Sequence, residues 1–414
     1  MKASHFTPLL QGEPAQWCAE FAHRHNGMGR LRLPGRRSFW VVSNPEAITI
    51  VLNDRLRYDK GGPFYQIIAR ALGPSGLFTT NDQWLWRRLH DAMWPALRAH
   101  ELAQTNIDAL TSDLMTRRMT AWNTKAPIEL FTEFKELSIE LLAAYLFGAD
   151  VDSRKLARLT HAVFAGMAGR VFLPAGFPGG RRYARVTREL MAEIDAIIAM
   201  RRASLPQGTL LDGLLRAEHQ FTNEQIRDQV VTMLMAGHDS TATVLAWALI
   251  RLSEDPLLYE RLRDDARNNE AVMPESIMHV IRAASHEHPA FPMFPRNVAQ
   301  ATTLLGHRLA ADDQVVVSLY GLHRLEGFAA TFNEFLEADA QGLTAVQREA
   351  HKPFGAGRRK CPGEDFAMRT GAIVLYLLLR EFSAIKRPRR NSGEHSRYAM
   401  TAPPRDNAAM WLRR

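Results

Sequence analysis

The sequence predicts a mainly α-helical protein with small β-sheets. Three observations carry this. From Trp84 to about Asn223 the chain reads as successive amphipathic helices. Thr222-Asn223-Glu224-Gln225 fits a capping box and opens a periodic, proline-free segment of roughly thirty residues, to about Ser253. The strand-like runs are short and lie near the N-terminus and in the last third of the chain.

Taken in order, Leu31 to Leu33 and Phe39 to Val42 flank Pro34-Gly35, which predicts a short hairpin within a β-rich part around residues 28–45. Asn44-Pro45 supplies an N-cap and first-turn proline for a helix to about Leu52. Leu173 to Gly180, with two prolines and three glycines, reads as a loop. The long helix after Thr222 is expected at the centre of the molecule, and a further helix from Pro274 to about Ser285. Gln314 to Leu319 reads as a strand, and Leu325 to Pro353 as irregular. A helix should run from Pro362 to about Phe382, and the tail from Tyr398 to Arg414 reads as a final hairpin. No linker or internal repeat divides the 414 residues, so a single domain is expected.

The chain is 46% hydrophobic and 23% charged, with a formal net charge of +8. That charge favours acidic partners. The arginines are dispersed, however, and no zinc-finger spacing or RNA-binding signature is present, so nucleic acid is not expected as a partner. Two cysteines, Cys18 and Cys361, cannot build a disulfide framework and point to a reducing compartment. The start of the sequence has no signal-peptide pattern. The longest strongly apolar run, Ala372 to Leu379, is too short for a membrane anchor. These features predict a cytoplasmic protein.

Chemistry concentrates at Phe354 to Gly363, FGAGRRKCPG. Cys361 precedes a helix start, where unpaired N–H groups favour negative charge, and Arg358, Arg359 and Lys360 add positive potential. Both effects favour a thiolate. Gly355, Gly357 and Gly363 allow tight turns. Three roles are open to such a cysteine: a buried structural thiol, a nucleophile paired with a histidine, or an axial thiolate to haem iron.

Phe354, Gly357, Arg359, Cys361 and Gly363 match F-x-x-G-x-R-x-C-x-G, which resembles the haem-binding loop of the cytochrome P450 family. The resemblance implies a cytochrome P450-like fold with its long central helix over haem b, iron protoporphyrin IX. Cys361 would be the axial iron ligand, with Phe354 beside it and Arg359 on a haem propionate. No c-type attachment motif is present, so no thioether bonds to haem are expected. Ala236-Gly237-His238-Asp239-Ser240-Thr241 resembles the family's oxygen-activation motif. Small Ala236 and Gly237 would let the helix approach a flat cofactor, and the Ser240 hydroxyl can bond back to the carbonyl four residues earlier. Asp239 would feed protons inward. Ser240 stands where the family usually has threonine, and Thr241 would share its role. Trp84 and Arg88, four apart, resemble the family's propionate pair, although alone they read as an ordinary amphipathic helix; Arg296 resembles its third propionate contact.

The departure lies in the Pro274 helix. The family expects Glu-x-x-Arg locked to a later arginine; here His279 replaces the acid three residues before Arg282, and Asp339 falls near the later arginine's position. A lock of exchanged polarity follows, with His279 and Arg282 both donating to Asp339. The resemblance implies a monooxygenase that inserts one oxygen atom of O2 into an apolar small molecule. Val231, Met235 and Val244, with Phe291, Met293 and Phe294, are the candidate substrate pocket, and each also reads as ordinary core. Electrons would come from a separate ferredoxin or flavodoxin, since no fused reductase follows Cys361. Arg87, Arg358 and Lys360 would receive it. Two other classes remain: a non-hydroxylating haem–thiolate enzyme (isomerase, dehydratase or peroxide-driven), and a non-catalytic haem-binding scaffold.

Overall fold

The computed structural model describes residues 13–32, 38–148, 151–172, 180–217, 220–269, 273–328, 331–388 and 400–414. Helices dominate. A five-stranded sheet has the order β1-β2-β8-β5-β3, with β1 (Met28–Arg32), β2 (Ser38–Val42), β3 (Tyr58–Asp59), β5 (Met293–Val298) and β8 (Gln314–Ser318). β1 and β2 pair antiparallel from Met28↔Val42 to Arg32↔Ser38, as expected of a hairpin; its Pro34-Gly35 turn lies outside the described residues. β2 runs parallel to β8. The Leu173–Gly179 part of the expected loop and Tyr398 likewise lie outside the described residues.

Asn44 caps the Pro45–Asn53 helix, its Oδ1 accepting from Ala47 N at 3.0 Å. The central helix spans Asn223–Glu254, and its capping box is complete. Gln225 N donates to Thr222 Oγ1 (3.2 Å) and Thr222 N to Gln225 Oε1 (3.0 Å). The N-terminal half of this helix, Ile226 to Met235, is packed into one hydrophobic core. Ala242 to Leu252 belongs to a second. The polar stretch Ala236–Thr241 falls at the junction of the two cores.

Two expectations are corrected. Residues 325–353 are not irregular: helices form at Phe332–Gln341 and Ala345–Ala350, each opened by a capping box from Thr331 and Thr344. Nor, among the described residues, does the tail fold back on itself. β10 (Ala409–Arg413) pairs with β4 (Ile128–Glu129) and with β9 (Ala384–Lys386), burying Met410 and Leu412 against the second core. The helix after Cys361 begins at Glu364, capped by Gly363, and ends at Glu381.

The helices Glu275–Glu287 and Phe332–Gln341 are joined by the lock of exchanged polarity. His279 Nδ1 donates to Asp339 Oδ2 at 2.6 Å, and Arg282 Nε donates to the same oxygen at 2.6 Å. Arg282 Nη2 lies 3.1 Å from His279 Nδ1, with Glu275 an outer contact at 3.7 Å.

Candidate active site

The segment before Cys361 is a folded-back loop. Lys360 N donates to Gly357 O (3.1 Å) and Cys361 N to Phe354 O (2.9 Å), which holds the thiol beside the half-buried Phe354. Gly357 is required twice over. Its φ is +69°, and a Cβ there would lie 2.5 Å from Leu52 O, so the loop clasps the end of the Pro45–Asn53 helix. Gly363 has no such constraint at φ −90°; a Cβ would meet Cys361 Sγ at 3.9 Å.

The Cys361 side chain is accessible, yet the surrounding protein pushes its thiol up to about 11; the Gly363 N–H opposes this, Glu364 adds to it and Lys360 counters. The expectation of a lowered thiol pKa is therefore corrected: desolvation outweighs the helix start and the basic neighbours. A thiol of this kind is a poor free nucleophile near neutral pH. A bound cation of the iron kind would deprotonate it outright.

Three cations from distant segments meet nearby. Arg359 donates to Thr80 O (2.9 Å) and Leu77 O (3.3 Å), and its guanidinium lies 5.1 Å from the Trp86 ring. Arg296 donates to Tyr65 Oη at 2.5 Å. Lys60 Nζ donates to Phe78 O at 2.7 Å. They line one cleft with Arg55, Asp59 and Asn81. Burial, then Arg359 and Arg296, drive the Lys60 ammonium well below its usual range; burial, then Arg296, lowers Arg359 to about 10. Among the described residues no carboxylate forms an ion pair with any of the three. Asp59 is instead taken by Gly61 N, Asn81 and Asn297. Buried positive charge without a counter-ion is costly, and two ligand carboxylates would satisfy it. The residues present thus fit a haem with its propionates.

Lys60 was not singled out by sequence, where it is a lone lysine in a loop. The Trp84 pair is placed elsewhere. Trp84 is 67% exposed, and Arg88 stacks over it at 4.1 Å and over Phe221 at 4.9 Å, away from the cation cluster. It is Trp86, 7% exposed, that faces Arg359, with His90 stacked on it at 4.9 Å. The helix turns about 200° between Trp84 and Trp86, so only one of them faces inward.

On the central helix, Ala236 is exposed and Ser240 and Val244 are half-buried. This i, i+4, i+8 stripe is accessible on a helix otherwise mostly buried. Ser240 Oγ donates to Ala236 O at 3.0 Å, the predicted back-bond. Gly237 does not face a cofactor: a Cβ there would lie 2.6 Å from Leu142 Cδ1, so its smallness serves packing against the Leu130–Phe147 helix. Thr241 turns toward the C-terminal helix, its Cγ2 3.8 Å from where a Gly371 Cβ would stand. Asp239 is buried; Lys135 Nζ lies 3.4 Å from its Oδ1, and Thr401 Oγ1 donates to its Oδ2. Sequence reading missed both partners, which are remote in the chain and carry no motif.

The six pocket candidates scatter. Val231 and Met235 are buried in the first core. Val244 borders the second core, Met293 and Phe294 border two smaller clusters, and Phe291 is half-buried. Of the three on the central helix, only Val244 lies on the accessible stripe.

A family model described as Cytochrome P450 matches residues 4–406. The chain belongs to the cytochrome P450 family. It is accordingly a haem-dependent oxidoreductase of the P450 monooxygenase type. Similar proteins include cyclooctatin synthase of Streptomyces melanosporofaciens, 28% identical over 89% of this chain and 84% of that protein. Cyclooctat-9-en-7-ol 5-monooxygenase of the same organism is 27% identical over 89% and 84%. Pentalenene oxygenase of Streptomyces avermitilis is 26% identical over 88% and 85%. The crystal structure of the cytochrome P450DA heme domain superposes with a TM-score of 0.85 at 21% identity, covering 99% of this chain and 95% of that one, which shows the fold. Among the described residues no helix is long and apolar enough to cross a membrane.

Proposed function

We propose that the chain is a single haem–thiolate domain, cytoplasmic, that hydroxylates or epoxidises an apolar, cyclic alkene-like molecule. For hydroxylation the balance is R–H + O2 + 2 e⁻ + 2 H⁺ → R–OH + H2O. The observation that carries the reading is the cleft of Lys60, Arg296 and Arg359, none of them ion-paired to a carboxylate among the described residues, with Arg359 carried on the folded-back loop that ends at Cys361. The names of the cyclooctat-9-en-7-ol and pentalenene oxygenases support the substrate class.

Haem bound there supplies reductive activation of dioxygen. Cys361 would hold its iron, and Lys60, Arg296 and Arg359 its propionates, with Trp86 and His90 taking the part assigned by sequence to Trp84 and Arg88. Exposed Ala236, with its small side chain, would leave room for the haem. Asp239, tied by Lys135 and Thr401, precedes Ser240 on the helix and relays protons toward the accessible stripe, and the Ser240 hydroxyl passes them on, with Thr241 as its neighbour on the helix. Val244, the one candidate on the accessible stripe, gives an apolar contact that orients the substrate.

Electrons come from a separate acidic ferredoxin or flavodoxin. Arg87 is 74% exposed, and Arg358 and Lys360 are exposed; burial first, then the nearby charges of Arg358 and Arg87, lower Arg55, so Arg358 and Arg87 lie close together, with Lys360 on the same loop as Arg358. The carbon monoxide spectrum of the dithionite-reduced protein tests the thiolate. A strongly red-shifted Soret band is expected, and a band like that of histidine-ligated haem would refute the assignment of Cys361.

A further inference from the structure

A polar nest lies between the central helix and the helices Leu130–Phe147 and Ser153–Phe172, and the haem reading leaves it unused. His238, next to Asp239, is fully buried. Its Nδ1 donates to Met235 O at 3.1 Å, so its Nε2 carries a lone pair, and that atom is buried with no partner. The ring of His161 lies 5.4 Å away at 38°, and its Nε2 is likewise buried and unpartnered. Phe164 closes the nest, edge-on to His238 at 4.9 Å. The charged groups facing it are Lys135 and Asp239, themselves paired at 3.4 Å. Burial first, with Lys135 contributing, lowers both imidazoles to about 4, so both rings are neutral near pH 7.

An unmet buried polar atom is costly, and here two lie on rings 5.4 Å apart. An apolar contact cannot satisfy either. A water molecule can: it donates to His238 Nε2 and meets His161 Nε2 in either tautomer.

We propose that His161 and His238 hold an ordered water between their Nε2 atoms, and that this water is the inner supply of protons to Asp239. The two histidines are then positioning residues for proton delivery. The proposal rests on the monooxygenase reading, but the two fail separately. Absence of the red-shifted carbon monoxide band in the parent would sink that reading and leave the water visible or not.

The first test is a high-resolution crystal structure of the haem-loaded protein. A water within hydrogen-bond distance of both Nε2 atoms is expected, and none there overturns the proposal. The second compares His238→Phe and His161→Phe with His238→Gln, whose side-chain oxygen replaces the Nε2 acceptor. All are first matched by their carbon monoxide band. With a plant-type ferredoxin, its reductase, NADPH and O2 alone, each Phe variant should slow aerobic NADPH consumption at least about threefold and enlarge its solvent isotope effect. Anaerobic reduction should be unchanged, and His238→Gln should stay near the parent. Phe variants with the parental rate and isotope effect would overturn the proposal. If they do not fold, the crystallographic water decides.

Discussion

Replacing Asp339 removes the sole acceptor that His279 and Arg282 share in the lock. The side chains of His279, Asp339 and Arg282 are 16%, 10% and 28% exposed, so the trio is mostly withdrawn from water. Breaking a fully buried pair costs about 3–5 kcal/mol, and the partial exposure here brings Asp339→Ala to about 3 kcal/mol. For 414 residues the unfolding entropy is about 0.9 kcal/mol per kelvin, so Tm should fall by about 3–4 °C, with reduced haem content. Asp339→Arg should be worse, because it sets three donors together with only the outer Glu275, 78% exposed, to answer them. Adding His279→Glu to Asp339→Arg restores an acceptor of the family's usual kind and should recover most of the loss. Thermal unfolding by circular dichroism and haem-to-protein ratios across the parent and the three variants measure this. Parental Tm and haem content in Asp339→Ala, or no recovery in the double variant, would refute the lock.

Gly357→Ala meets both positive φ and a clash with Leu52 O; it should cost about 1–3 kcal/mol and loosen haem, read by unfolding and by haem transfer to apomyoglobin. Lys60→Met should leave the fold intact but speed haem loss several-fold, whereas Arg88→Met should not; equal rates would remove Lys60 from the cofactor site. Stability should fall steeply below about pH 6.5. His161 and His238 titrate at about 4 and His351 at about 3 in the fold, all from burial first, against 6.5 for a free imidazole. Their folded values are depressed, so this contribution is complete above pH 6.5 and drains as pH falls toward 3, each group forfeiting about 1.4 kcal/mol per pH unit. A Tm that is flat from pH 7 to 5 would contradict it. Added salt should slow reduction by ferredoxin if Arg87, Arg358 and Lys360 dock it, and a salt-independent rate would exclude that face.

The long central helix and its start were legible because the capping box at Thr222 is a local signal, and the cysteine loop because five residues stand at fixed spacing. Thr331 with Glu334, and Thr344 with Gln347, are capping boxes of the same kind, so the two helices within 325–353 were readable as well. The dense polar residues there concealed them. Trp84 and Trp86 illustrate a different limit. Each has a basic or imidazole side chain four residues later, and only burial against the rest of the fold chooses between them. Lys60, Lys135 and Thr401 left no trace, since each works through a partner more than a hundred residues away or through desolvation. The Cys361 thiol shows the same effect in sign: neighbours in sequence predict a lowered pKa, and neighbours in space raise it.

If Lys60, Arg296 and Arg359 hold the propionates as proposed, their cleft would also make the protein a discriminator among porphyrins. Three mutually repelling cations, brought together from both ends of the chain, are relieved by a ring bearing free acids and not by its neutral dimethyl ester. An esterified haem offers the same iron and the same apolar faces, yet it would leave the repulsion in place. Accumulation of the folded chain in a cell would then be tied to the supply of one particular cofactor, since a ligand that binds only the folded state stabilises it in proportion to the logarithm of its concentration.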